Sequence, residues 1–217
     1  MIKISPHRII NTVGSTDIET VKTIEHLLCS LFINKIDNVL VETIGPEIPI
    51  LDGSIQTFNK LLENQSIEID NLAYEFSIPN NIQIGEYKLY PSSSLEIYCY
   101  LKDPKNNQKT MLYWTEQSEL IPAKTFGYIQ DYETLKKMNL GNGSDISNTM
   151  IMSINKKTST YYLPNYHKII DFLGDIYTTN IPYIRGTFYL HNPNHTNNNQ
   201  VAKEIYNIFL KGVKNND

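Results

Sequence analysis

The stretch Tyr166-His167-Lys168-Ile169-Ile170-Asp171-Phe172-Leu173-Gly174-Asp175 decides how the rest of the chain is read. Ile169, Ile170, Phe172 and Leu173 supply an apolar surface at helical spacing, which predicts a helix over residues 165–179. Four residues of helix drift by only ~40°, so His167, Asp171 and Asp175 project from one face. Beyond it, 183–191 reads as a strand and 198–211 as an amphipathic helix. Upstream, alternating segments at 74–78, 82–90, 94–100 and 109–114 are separated by Pro79-Asn80, Pro91-Ser92 and Pro104-Lys105-Asn106-Asn107, the punctuation of successive strands. A short helix at 131–138 and strands at 150–154 and 160–163 complete this part.

Nearer the start, 7–13 reads as a strand and Gly14-Ser15-Thr16-Asp17 as a turn. Val21, Ile24, Leu27, Leu28 and Leu31 recur at 3-4-3 spacing, predicting a helix over 21–32. Residues 38–44 read as a strand stopped by Gly45-Pro46, and 48–51 as a second extended piece. Ser54 reads as the N-cap of a helix reaching about residue 63. The mixture gives an α+β fold of two-layer sheet and helix units. A boundary is expected at Asn64–Asn71, dividing a small first unit, 1–68, from a larger second unit, 69–217.

Composition sets the class. Of 217 residues, 41% are hydrophobic and 19% charged, which fits a folded globular chain and not a disordered one. Nineteen Lys and Arg against 23 Asp and Glu give a net charge of −4, so there is no overall basic field for nucleic acid. No apolar run approaches the ~20 residues of a membrane-spanning helix, and the first residues lack the apolar core of a signal peptide. Two cysteines, Cys29 and Cys99, make no disulfide framework, and a reducing compartment follows.

Four features carry chemistry. His167 and Asp171, one helical turn apart, suit a shared metal ion, though an exposed polar stripe or a simple His–Asp pair fits the same spacing. Glu25 and His26 fall among helix-core leucines, where buried ionisable groups are costly unless used or paired. Neighbouring helical residues point about 100° apart, so one can bind a metal while the other addresses water; taken alone, the pair fits an ordinary helix shoulder better. His195 sits in a loop, where alone it is a surface histidine. Thr125-Phe126-Gly127 reads as a sharp turn leaving a strand. Together these features offer two histidines and a carboxylate for zinc, with a spare Glu and a spare His. Three protein ligands and one open position is the catalytic form of a zinc site.

Longer motifs carry a resemblance. Thr23-Ile24-Glu25-His26-Leu27-Leu28, Ile36-Asp37-Asn38-Val39-Leu40-Val41-Glu42 and Gly45-Pro46-Glu47-Ile48-Pro49-Ile50-Leu51-Asp52-Gly53-Ser54 resemble the family of UDP-3-O-acyl-N-acetylglucosamine deacetylases. Matches continue in order through Ala123-Lys124-Thr125-Phe126-Gly127, Gly143-Ser144, His167 to Asp175, and His195-Thr196-Asn197-Asn198. The resemblance implies a cytoplasmic zinc amide hydrolase of lipid A and lipopolysaccharide synthesis, acting on UDP-3-O-acyl-N-acetylglucosamine and water. It implies that His26, His167 and Asp171 bind Zn2+, and that Glu25 is the general base. His195 matches a charged catalytic histidine, Asp175 its orienting carboxylate, and Thr125 an oxyanion contact. Lys168 matches a residue at the substrate phosphate, and Phe126 an aromatic beside sugar and acyl chain.

The resemblance also implies a shortened first domain packed on a complete second one, with the site between them, because the family's strand-rich opening segment has no counterpart here. Asn194 stands where the family has glycine, and Gln200 where it has a basic residue. Two alternatives accompany the leading reading: a zinc deacetylase for a different N-acetyl sugar, and a catalytically impaired, truncated paralogue that acts as a binding protein.

Overall fold

Burial alternates with period two along the longest strands, so the main sheet has one core face. Leu95, Ile97 and Cys99 point inward, as do Ile184, Phe188 and Leu190. The opposite face carries tyrosines, with the Tyr98 and Tyr189 rings stacked at 4.6 Å. A computed structural model describes residues 1–67, 73–105, 107–137, 143–152 and 162–214. Among these, in chain order, lie β1 (Ile9–Asn11), β2 (Asp17–Ile18), α1 (Glu25–Ile33), α2 (Gln56–Leu62), β3 (Glu75–Ser77), β4 (Ile82–Ile84), β5 (Tyr87–Tyr90), β6 (Leu95–Lys102) and β7 (Lys109–Thr115). Then follow β8 (Thr125–Tyr128), α3 (Tyr132–Lys137), β9 (Thr149–Met152), α4 (Leu163–Ile176), β10 (Tyr183–His191) and α5 (His195–Lys214). The α+β class is as expected.

Strand β10 is central. The main sheet runs β4-β5-β10-β6-β7, and β3 also pairs with the first residues of β10. β10 is parallel to β6, from Gly186 opposite Leu95 to His191 opposite Tyr100, and antiparallel to β5. Two small sheets stand apart from it: the β1–β2 pair, and β8 parallel to β9 with Thr125 opposite Thr149.

Helix α4 lies on the core face of the main sheet. Pro164 sits in its first turn, where a missing N–H costs nothing. Ile169, Ile170, Phe172, Leu173 and Ile176 are fully buried, and Phe172 meets Phe188 of β10 edge-on at 5.4 Å. Helix α1 crosses α4 on its other side. Gly174 makes that crossing close: a Cβ there would lie 1.9 Å from the backbone oxygen of Glu25. Gly174→Ala therefore has to push the start of α1 away. We expect a loss of about 1–3 kcal/mol, the usual range for overpacking, measured by denaturant unfolding. A variant as stable as the parent would refute the close-approach account.

Several expectations are corrected. Residues 38–44 form no strand and pair with nothing among the described residues, and Val39, Leu40, Val41 and Ile44 are exposed. Pairing begins only where the Pro46 oxygen accepts from the Lys22 N–H and the Ile48 N–H donates to Lys22. The helix expected from residue 21 starts at Glu25, because Val21 closes a turn with Ile18 and Thr23 adopts φ 59°. Thr125-Phe126-Gly127 forms strand β8 instead of a turn. Ser54 stands one residue before the α2 cap position, yet its Oγ accepts from the Gln56 N–H. The short helix begins with a 3-10 turn, Ile129–Asp131. Of the strand expected at 160–163, Leu163 opens α4 and 160–161 lie outside the described residues, as do 153–154 and residues 68–71 of the boundary expected at 64–71.

Candidate active site

The close crossing of α1 and α4 sets the first turn of α1 over the middle of α4. His26 therefore meets His167 in a T-shaped contact, with ring centroids 5.1 Å apart. The Asp171 carboxylate lies between them: its Oδ1 is 3.5 Å from His26 Nε2 and 3.4 Å from His167 Nε2. One ligand-capable atom from each of these three buried residues lies within 4.8 Å of the other two. Ligand atoms at ~2.0–2.2 Å from one tetrahedral ion sit about 3.3 Å apart, so the observed separations fit a shared metal.

The electrostatics agree. Burial pushes the His167 imidazole down to about 3, leaving it neutral, the form that binds a metal. Its Nδ1 is buried with no hydrogen-bond partner among the described residues, so packing against the His26 and Phe126 rings holds it in place. Burial opposes ionisation of Asp171, but the positive charges of Lys168 and His195 outweigh it and hold the carboxyl well below the usual range. Lys168 reaches Asp171 Oδ2 at 2.9 Å with its Nζ, which also lies 5.8 Å from the centre of the Phe126 ring.

Two further ionisable groups flank the cluster. Glu25, at 5% exposure, is lifted by burial to about 7, against the pull of His195 and His26. Its Oε2 accepts from the Thr16 N–H at 3.0 Å. His195 heads α5, with Nε2 4.0 Å from Asp171 Oδ2 and Nδ1 2.8 Å from Asp175 Oδ2. Burial disfavours its charge, yet Asp175 and Asp171 raise its pKa to about 10, so the imidazolium persists at neutral pH. Asn198 Nδ2 donates to the same Asp175 oxygen at 2.8 Å, and Tyr87 OH donates to Asn198 Oδ1 at 2.9 Å. Asp175 Oδ1 accepts from Thr16 Oγ1 at 2.5 Å.

The structure thus gathers His26, His167, Asp171, Lys168, Glu25, His195 and Asp175, with Phe126 edge-on to His167 at 5.7 Å. Thr125 begins β8 and donates its backbone N–H to Gly53, with no contact to the cluster through its hydroxyl among the bonds described. Gly53 is needed there, since a Cβ would lie 1.7 Å from the Asn148 oxygen. Thr16, Asn198 and Tyr87 were given no role by the sequence. Their bonds span 159, 23 and 111 residues, which no local pattern reports.

Among the described residues no helix is long and apolar enough to cross a membrane. The family model described as UDP-3-O-acyl N-acetylglycosamine deacetylase matches residues 1–207. A curated UDP-3-O-acyl-N-acetylglucosamine deacetylase from Aquifex aeolicus is 33% identical over 213 residues, covering 91% of this chain and 75% of the relative. One of the same name from Coxiella burnetii is 29% identical, covering 90% of this chain and 73% of the relative.

Proposed function

This chain belongs to the UDP-3-O-acyl-N-acetylglucosamine deacetylase family, and from that premise we propose that it hydrolyses the N-acetyl group of UDP-3-O-acyl-N-acetylglucosamine, a step of lipid A synthesis, using one zinc ion. The observation that carries this reading is the convergence of His26, His167 and Asp171 with Glu25 on one flank and the Asp175–His195 pair on the other. A carboxylate beside two imidazoles matches the donor set of catalytic zinc. The ion held by these residues supplies Lewis acidity toward the amide carbonyl and lowers the pKa of a bound water toward ~7.

The remaining work falls to the chain's own groups. Glu25, near 7, is matched to take the proton of the attacking water and hold it at neutral pH. His195, charged by its carboxylate neighbours, steadies the developing oxyanion and delivers a proton to the amine nitrogen as the C–N bond breaks. Asp175 keeps the proton on His195 Nδ1 and the Nε2 edge turned to the site. Thr125 at the start of β8 contributes an oxyanion contact once the substrate is seated. Phe126 offers a ring beside sugar and acyl chain. Lys168 lies beside Asp171 at the side assigned to the substrate phosphate.

The test compares acetate release from UDP-3-O-acyl-N-acetylglucosamine with release from a simple N-acetyl sugar. Turnover of the nucleotide sugar alone supports the proposal. Turnover of the simple sugar alone moves the substrate assignment, and turnover of neither removes the enzyme reading.

A further inference from the structure

The turn that joins β1 to β2 sends Thr16 into the centre of the site, where it is wholly buried. All three polar groups of this residue are committed. Its N–H donates to Glu25 Oε2 at 3.0 Å, its carbonyl accepts from the Ile24 N–H at 3.1 Å, and its hydroxyl donates to Asp175 Oδ1 at 2.5 Å. The turn itself is anchored one residue on. Asp17 accepts from Asn11 Nδ2 and Ser15 Oγ, each at 2.8 Å, and from the Thr23 N–H at 3.1 Å.

We propose that Thr16 is a positioning residue that fixes the Glu25 carboxylate and the Asp175–His195 pair in one frame, so that proton uptake and proton delivery occur on opposite sides of the same amide. The geometry is specific. His195 Nδ1 and Asn198 Nδ2 both use Asp175 Oδ2, which leaves Oδ1 buried with Thr16 as its hydrogen-bond donor. Without that hydroxyl Oδ1 loses the donor found for it among the described residues, and of the two groups that anchor the plane aiming the His195 ring only Asn198 remains. The Glu25 contact is made by a backbone N–H, so it survives any side chain at this position. The hydroxyl arm and the amide arm are therefore separable by mutation.

This inference rests on the deacetylase reading for its kinetic arm and on none of it for its spectroscopic arm. Thr16→Val removes the hydroxyl and keeps the shape. In the zinc-loaded protein it is expected to lower kcat by about ten- to hundred-fold, the usual effect of losing such a supporting bond, with KM, zinc content and fold retained. Thr16→Ser restores the rate. The low-field NMR resonance of the His195 Nδ1 proton shifts or exchanges away in the valine variant and returns in the serine variant. Adding Thr16→Val to Asp175→Asn costs little more, because both act through one carboxylate. Should the valine variant fold poorly, Thr16→Ala carries the same expectation without a second methyl against Asp175.

A valine variant with the parent's kcat, or an unmoved His195 resonance, overturns the inference. So does a rate loss that follows lost zinc or lost folded protein and is not rescued by serine. A parent that turns over no substrate defeats the proposed function instead, and the His195 resonance then decides the role of Thr16.

Discussion

Glu25→Gln is expected to lower kcat for deacetylation by about 10²- to 10⁴-fold, the range spanned by loss of a general base. Glutamine has the shape of glutamate, and its side-chain oxygen can still accept from the Thr16 N–H that now meets Oε2 at 3.0 Å. Packing around α1 is therefore kept, and the substitution also removes a carboxylate held at 5% exposure. Fold stability should hold or rise, since a neutral amide costs less to bury than an ionised acid. Zinc content should be unchanged, because the proposed ligand set uses His26 and not its neighbour. Steady-state kinetics beside metal analysis check the separation. A variant that loses zinc would place Glu25 among the ligands, and one that keeps the parent's kcat would remove it from proton transfer.

The second large effect is on metal binding. Asp171 is the one carboxylate of the candidate ligand set, with Oδ1 3.5 Å and 3.4 Å from the two imidazole nitrogens. It is also the counter-charge for Lys168 at 2.9 Å and stands 4.0 Å from His195. Asp171→Ala is expected to reduce zinc from one per chain to none and to abolish turnover. Two cationic side chains would then face each other across a buried gap, and removal of one partner from a buried pair typically costs about 3–5 kcal/mol. A metal that binds only the folded state stabilises it by about 2.7 kcal/mol at one hundred times its Kd. Added zinc should therefore raise the melting temperature of the metal-free parent and leave that of Asp171→Ala unmoved. Equal shifts in both proteins would show that the ion binds elsewhere.

How much of this was legible in the sequence follows from where each contact is made. His167, Asp171 and Asp175 occupy one helix, so their common face is fixed by 3.6 residues per turn and could be read directly. The Glu25-His26 pair carried the same information for α1. What joins the two helices is Gly174, whose missing Cβ admits the Glu25 backbone, and no periodicity reports a contact 149 residues away in the chain. Strands suffered for the same reason. Residues 38–44 have strand composition, but a strand exists only with a partner, and none is found among the described residues. Thr125 looked like a turn because its partner, Thr149 on β9, lies beyond an intervening helix. The Thr16 clamp was hidden twice over, since threonine is common in turns and its hydroxyl bond spans 159 residues. Long motifs filled part of this gap, because they carry the outcome of tertiary contacts that local patterns cannot show.

The central claim is that one metal-dependent centre, built from α1, α4 and α5, cleaves an acetamide on a nucleotide sugar. Its most direct test is acetate release from UDP-3-O-acyl-N-acetylglucosamine by the chelator-stripped protein, before and after one equivalent of zinc is restored. No release is expected from the stripped protein, and many turnovers per chain once zinc is added. Turnover that persists without metal, or none in protein shown to hold one zinc per chain, would contradict the claim.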